Sequence, residues 1–412
     1  MKNSEVRRYS KVSWLVFLFT ISIVLISLVP VIFPALFSET FFKTELDGFG
    51  ITSYNLEPFE LGGLAATLII TNIIVFVIFA LFKNKITWQE KIKSFTKFQI
   101  SQKVALILVV IILIGYVSVS YSDVGFGMPI GGHGEVYDDW DRLKHKLANM
   151  QNIWPEQITS FDPHFKHILL KISERIFENY FVIPFFSSIG LLIITYLFTN
   201  KITDSRIAGL LSMLLVLQSN LFLTFDTSAA FASFWTLFYL LSLYFIIKIW
   251  PLTPVFYVLS ILSKILTAFF APMSIFFILN SDVSKQRKII LTVIFLAIIV
   301  IGISVSTTQT NIGLEWNSDE FWLGFTAFAF QMRLDIIFVI FLLPLTVGLF
   351  IISKNNRYSN SILILLAGTL LSAPLVTGLT DMTNQPYRFL PLVVFFSVGI
   401  GMLFANRKTI LF

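Results

Sequence analysis

The chain contains no cysteine, which excludes disulfides, thiolate metal sites and a cysteine nucleophile. Charge is scarce as well. Only 13% of residues are Asp, Glu, Lys or Arg, against about 25% in a soluble domain. No clear internal repeat is present, although such repeats mark many transporters. What the chain does contain is hydrocarbon. Of 412 residues, 56% are hydrophobic, and the mean hydropathy is +0.81. This is the composition of a polytopic membrane protein. The net charge of +6 does not point to nucleic acid, because the basic residues fall mostly in short loops, where they act as topology signals.

Ten apolar runs approach the roughly 20 residues that a helix needs to cross a bilayer. They are 12–37, 61–82, 104–121, 180–198, 207–223, 228–247, 289–305, 334–352, 362–376 and 389–404. The first follows the basic N-terminus 1–11. It is too long for a signal-peptide core and no small-residue cleavage pattern follows it, so it reads as a retained anchor.

A further run, 255–279, starts after Pro254 and contains Lys264 and Pro272. If it crossed once, the loops bearing Lys285, Arg287, Lys288, Lys354, Arg357, Arg407 and Lys408 would face outward. That inverts the positive-inside rule. If it enters and returns, all seven lie inside with Lys2, Arg7, Arg8, Lys11 and the basic loop 83–103. The charge pattern therefore predicts a broken or re-entrant pair with Lys264 near its tip, covered by protein or a water-filled cavity. Both termini are then cytoplasmic, and the cell membrane is the expected location. Segments 38–60, 122–179, the Phe225–Asp226 turn, 306–333 and 377–388 face outward.

The most polar stretch is Ile130-Gly-Gly-His-Gly-Glu135-Val-Tyr-Asp138-Asp139-Trp-Asp141, with four carboxylates and a histidine. A charge at a helix centre in lipid costs roughly 2.5–3.5 kcal/mol, so such groups are kept for loops or for chemistry. This cluster opens the longest polar loop, 122–179. After it, Leu143, Leu147 and Met150 recur at helical spacing, as do Ile168, Leu169, Ile172, Ile176 and Phe177. These predict two amphipathic helices lying on the membrane. Asp141 reads as an N-cap of the first. The apolar run 321–332 is too short to cross and is expected in the interface.

Taken together, these features resemble the GT-C superfamily of polytopic glycosyltransferases, in the manner of its protein mannosyltransferase-like and arabinosyltransferase-like members. Glu135 to Asp141 with the two helices behind it resembles that family's first outer loop. Phe161-Asp-Pro-His-Phe165, Lys201-Ile-Thr-Asp-Ser-Arg206, Phe225-Asp226-Thr-Ser-Ala-Ala230, Ser263-Lys264 with Pro272, and Pro386-Tyr387-Arg388-Phe-Leu-Pro391 follow in family order. The resemblance runs from about Val104 to the C-terminus and rests on the ordered set. It departs from the family in having two spans ahead of the one that precedes the acidic loop. The sequence also has no WWD motif, which argues against transfer to asparagine.

The resemblance implies an all-α integral membrane protein, a GT-C-like bundle of about ten transmembrane helices with a broken helix pair and interfacial helices. An N-terminal hairpin, 1–103, precedes a GT-C-like domain, 104–412. The implied activity is sugar transfer from a polyprenyl-phosphate donor to a protein, lipid or glycan acceptor on the outer face. Asp138 or Asp139 fits the base that activates the acceptor hydroxyl, with Asp138 preferred. Arg388 fits the leaving phosphate, with Lys264 as a second cation and Tyr387 beside it. Glu135, Asp141 and Asp226 complete the expected substrate contacts. Asp139 and Asp141 form an Asp-x-Asp pair of oxygen ligands suited to Mg or Mn. Glu315, Asp319 and Arg333 lie in a loop positioned to close over acceptor. Two other classes compete: a transporter of lipid-linked substrate, disfavoured by the uncharged spans, and a non-catalytic membrane scaffold or subunit.

Overall fold

The computed structural model describes residues 9–37, 57–82, 99–124, 137–149, 164–309, 316–380 and 386–405. Every regular element among them is helical. In chain order the helices are α1 Lys11–Ile32, α2 Ala65–Phe82, α3 Gln102–Ser120, α4 Tyr137–Asn149, α5 His164–Phe177, α6 Val182–Thr203, α7 Arg206–Leu217 and α8 Asn220–Phe225. There follow α9 Phe234–Lys248, α10 Thr253–Ser263, α11 Ala271–Asn280, α12 Lys285–Gln309, α13 Ser318–Gln331, α14 Ile336–Ile352, α15 Tyr358–Thr380 and α16 Leu390–Leu403.

Among the described residues, six helical stretches are long and apolar enough to cross a membrane: Lys11–Ile32, Ala65–Phe82, Gln102–Val124, Val182–Thr203, Tyr358–Leu379 and Pro386–Leu403. The α13–α14 pair, bent by 117°, adds a seventh if it counts as one span. The chain is a multi-pass membrane protein. The expected ten full spans are not all found, for a local reason. Serine and threonine bond the nearby backbone and interrupt helices. The run 207–223 breaks at Gln218, where Ser219 accepts from the Phe222 amide and starts α8. The run 228–247 begins late, because Ser228 accepts from the Phe231 amide and holds a turn ahead of α9.

The chain forms two compact units, one of 1–98 with 314–412 and one of 99–313. In the first, α1 packs on α13, α14 and α15, and α2 packs on α14. Buried polar side chains fix these contacts. Thr20 Oγ1 donates to the Leu363 carbonyl at 3.2 Å, Asn360 Nδ2 to Ser13 Oγ at 3.0 Å, and Asn72 Nδ2 to the Ile340 carbonyl at 3.0 Å. The short apolar helix expected at 321–332 is α13. Asn317 caps it by accepting from the Asp319 and Glu320 amides. It lies so close to α15 that a Cβ at Gly324 would fall 2.4 Å from Pro374 Cα.

In the second unit α6 packs on α7 and α9, and α9 packs on α10. The run 255–279 is broken, with Lys264 in extended backbone at the break. Tyr257 Oη donates to the Thr267 carbonyl at 3.1 Å, and Ser260 Oγ lies 3.1 Å from Thr267 Oγ1. Residues ten apart in a continuous helix would be separated by about 15 Å along the axis, so these bonds require the helix to be interrupted here. Leu266, Thr267 and Phe270 beyond the break are buried.

Candidate functional site

The polar helices α4 and α5 lie on protein. Leu143 and Leu147 of α4 and Leu170 of α5 are buried against Ala229, Ala232 and Phe234, with Trp140, Tyr180 and Phe181 at the margin. Lys166 Nζ donates to the Ala230 carbonyl at 2.5 Å. The expected apolar stripe of α5 needs correction. Its buried line is His167, Ile168, Leu170 and Ser173, whereas Ile176 and Phe177 are exposed. Ser173 explains the rotation. Its hydroxyl donates to the Asn179 carbonyl at 2.6 Å and accepts from the Ile183 amide at 3.1 Å. Asn179 in turn donates to the Val124 carbonyl at 2.8 Å. Left-handed backbone at Glu178 makes the turn between α5 and α6.

Asp226 ends α8, three residues before Ala229. Its side chain is 1% exposed. Ser120, at the end of α3, donates to Asp226 Oδ2 at 2.6 Å. Ser188 of α6 donates to the Asp226 carbonyl at 2.6 Å and lies 3.1 Å from the Ser233 hydroxyl. Tyr116 Oη sits beside the carboxylate. Asp226 Oδ1, Tyr116 Oη and Thr227 Oγ1 are buried and have no hydrogen-bond partner among the described residues. Asp226 lies outside the span-length helices. Burial pushes its carboxyl from 3.8 up to about 6, against the pull of the Ser120 hydroxyl.

The other predicted residues are distributed as follows. Glu135 lies outside the described residues, as do the side chains of Asp138 and Asp139, whose backbone forms the first turn of α4. Asp141 is not an N-cap, because α4 begins four residues earlier, at Tyr137. It lies in the second turn, exposed, 3.5 Å from His145 Nε2. Asp139 of the expected metal pair has its side chain outside the described residues. Among the described residues no three His, Asp or Glu side chains gather as a metal site. Lys264 is half-buried at its extended break. Tyr387, buried, and Arg388, half-buried, form the 3-10 turn Pro386–Phe389 of the other unit. Arg333 stacks on Phe330 at 4.2 Å, and Asp319 lies in the first turn of α13. Glu315 lies outside the described residues.

Tyr116, Ser120, Ser188 and Thr227 are absent from the residues singled out in the sequence. The available signal was hydroxyl side chains inside or beside apolar runs. No family model, curated protein or solved structure matches the chain.

Proposed function

We propose that the chain is a membrane glycosyltransferase that moves a sugar from a polyprenyl-phosphate donor to an acceptor hydroxyl at the outer face. The observation that supports this reading is the packing of α4 and α5 on Ala229, Ala232 and Phe234, a segment that follows the buried acid Asp226 in the chain. Asp138 or Asp139 takes the acceptor proton as the acceptor oxygen attacks the anomeric carbon in line. The bond from that carbon to the carrier phosphate breaks with inversion, and the phosphate leaves with its electron pair. The resemblance assigns the growing charge to Arg388, which follows Tyr387 in the chain, and names Lys264 as a second cation. Glu135, Asp141 and Asp226 are the remaining proposed substrate contacts.

The test is purified full-length chain in lipid with a panel of polyprenyl-phosphate sugars. Transfer is expected from at least one donor. Asp138→Asn or Asp139→Asn should remain folded and lose roughly 10²–10⁴-fold in rate, as for a positioned general base. Arg388→Ala should weaken donor use severely and Arg388→Lys partly, because lysine keeps the charge without the planar fork. Near-normal transfer by both aspartate variants removes the proposed base. Folded wild type inactive with every donor removes the reading itself.

A further inference from the structure

Two span-length stretches of the first unit, Lys11–Ile32 and Tyr358–Leu379, meet at their N-terminal ends. Asn360 Nδ2 donates to Ser13 Oγ at 3.0 Å, so both stretches start at one face of the bilayer. The end of α14 joins them. Phe350 stacks on Tyr9 at 4.4 Å and on Phe17 at 4.2 Å, and Trp14 lies 4.8 Å from it. Tyrosine and tryptophan favour the headgroup level of a membrane.

Three cations belong to this end. Lys11 opens α1, and Lys354 and Arg357 lie in the link between α14 and α15. Lys354 Nζ sits 4.1 Å from the centre of the Tyr9 ring. The ring face holds the ammonium in place, and its remaining N–H groups are available to an outside acceptor. No acid answers this charge locally. Residues 9–37 and 336–380 contain no Asp or Glu, and neither ion pair between described side chains involves Lys11 or Lys354. Clustered cations beside a span are where anionic lipid headgroups bind.

An apolar cleft continues from the charge. It has a volume of about 610 Å³ and is lined by Leu15, Leu18, Phe19, Ser22 and Ile23 of α1, a size within the roughly 300–1,000 Å³ of ligand clefts. Lys11, Leu15, Leu18 and Ser22 are spaced by four, three and four residues, so they share one face of the helix. Ser22 Oγ donates to the Leu18 carbonyl at 2.8 Å, which leaves the lining apolar. By the helical rise these residues lie about 6–18 Å from Lys11 along the axis. One leaflet of hydrocarbon is about 15 Å deep. An apolar cleft alone selects no particular lipid. A cleft of one leaflet's depth that ends at fixed positive charge selects a chain with a negative headgroup.

We propose that this face of the first unit binds a diacyl phospholipid of net negative charge. Its phosphate lies at Lys11 and Lys354, with Arg357 adding to the local charge, and an acyl chain runs along 15–23. The inference does not depend on glycosyl transfer and is tested without it.

The experiment is thermal unfolding of purified full-length chain in a neutral detergent, titrated with phosphatidylglycerol or with phosphatidylcholine of the same acyl chains. Ligand that binds only the folded state raises the melting temperature in a saturable way. A saturable rise is expected with phosphatidylglycerol at concentrations where phosphatidylcholine gives little. Glycerol 3-phosphate, which has the anionic group without the chains, should give none. Lys11→Gln and Lys354→Gln should each shift the midpoint to about fivefold higher phosphatidylglycerol, the effect of one cation at an anionic lipid. Lys354→Arg keeps the charge and should stay near wild type. Ser22→Trp fills the cleft and should also raise the midpoint. Lys285→Gln removes an exposed charge at the start of α12 and should change nothing. Equal titrations with the two lipids would overturn the proposal, as would unchanged midpoints in both lysine variants or in Ser22→Trp. A loss in Lys285→Gln as large as in Lys11→Gln would reduce the effect to general surface charge and overturn it. A full response to glycerol 3-phosphate would make the site one for soluble phosphate and overturn it too.

Discussion

Ser120 Oγ donates to Asp226 Oδ2 at 2.6 Å across 106 residues of sequence. The bond ties the end of a span-length helix to the turn that carries the most buried acid in the second unit. Hydrogen bonds to a charged group contribute about 1.5–3 kcal/mol, and leaving a buried partner unsatisfied is costly. Ser120→Ala should therefore lower stability by about that amount. Ser118→Ala, whose hydroxyl bonds only its own helix at the exposed Ile114 carbonyl, should change it far less. Chemical unfolding of the two variants side by side checks this.

The raised carboxyl of Asp226 gives a pH dependence with a definite sign. In the folded chain it titrates near 6 in place of 3.8, so between those values the folded state holds a proton that the unfolded state has released. The stability this contributes is fully present below 3.8 and is lost as pH rises through about 6. The gap is worth about 3 kcal/mol at most. At constant ionic strength, wild type should therefore be less stable at pH 8 than at pH 5. Asp226→Asn should lose that part of the difference. A pH profile of wild type that Asp226→Asn leaves unchanged would assign the dependence to other groups.

Much of the architecture could be read from local pattern. The break at Lys264 follows from a lysine in an apolar run flanked by Pro254 and Pro272, and the two polar helices of the outer loop follow from leucine spacing after Asp141. The polar surroundings of Asp226 could not be read. Tyr116, Ser120 and Ser188 reach Asp226 only through tertiary packing, and a hydroxyl in an apolar run gives no sign of its partner. Local reading also misplaced the start of α4. Asp141 is a good cap by residue type, but the helix continues back through Asp138 and Asp139 to Tyr137. The rotation of α5 was hidden for a related reason: it is fixed by the Ser173–Asn179 hydrogen bond, and apolar spacing carries no record of that bond.

Glycines in the two units should respond differently to alanine. At Gly324 the new Cβ would meet backbone, 2.4 Å from Pro374 Cα. Overpacking of this kind costs about 1–3 kcal/mol or more, so Gly324→Ala should be strongly destabilising. At Gly115, inside α3, nothing lies within 4 Å of the added carbon. Gly115→Ala should be neutral or stabilising by up to about 1 kcal/mol through helix propensity. Melting temperatures in lipid compare the pair, and equal losses would contradict the α13–α15 contact.

If α4 rests on protein, its buried leucines matter more than its exposed charges. Leu147 is 0% exposed, and Leu147→Ala should cost about 2–5 kcal/mol locally. It should speed amide exchange in α4 and around Ala229–Phe234. Asp141→Asn removes only an exposed pair with His145, worth roughly 0.2–1 kcal/mol, and should leave exchange there nearly unchanged. A helix floating on lipid would not pass the Leu147→Ala effect to the Asp226 turn.

The last prediction concerns the break at Lys264, which the bonds from Tyr257 and Ser260 to Thr267 hold in place. The α10 and α11 helices have 11 and 10 residues, about 15 Å each, or half of a bilayer's hydrocarbon core. A run that enters and returns puts both its ends on one side of the membrane. Together with the positive-inside rule, this predicts that exposed Lys285, at the start of α12, faces the cytoplasm. The absence of native cysteine makes single-cysteine labelling clean. In intact cells an impermeant thiol reagent should label Arg175→Cys in the outer loop and leave Lys285→Cys unmodified until the membrane is opened. Lys354→Cys, on the same expected side, should behave like Lys285→Cys. Labelling of residue 285 from outside, with Arg175→Cys behaving as expected, would mean that the 253–280 segment crosses and that its basic flank lies on the outer face.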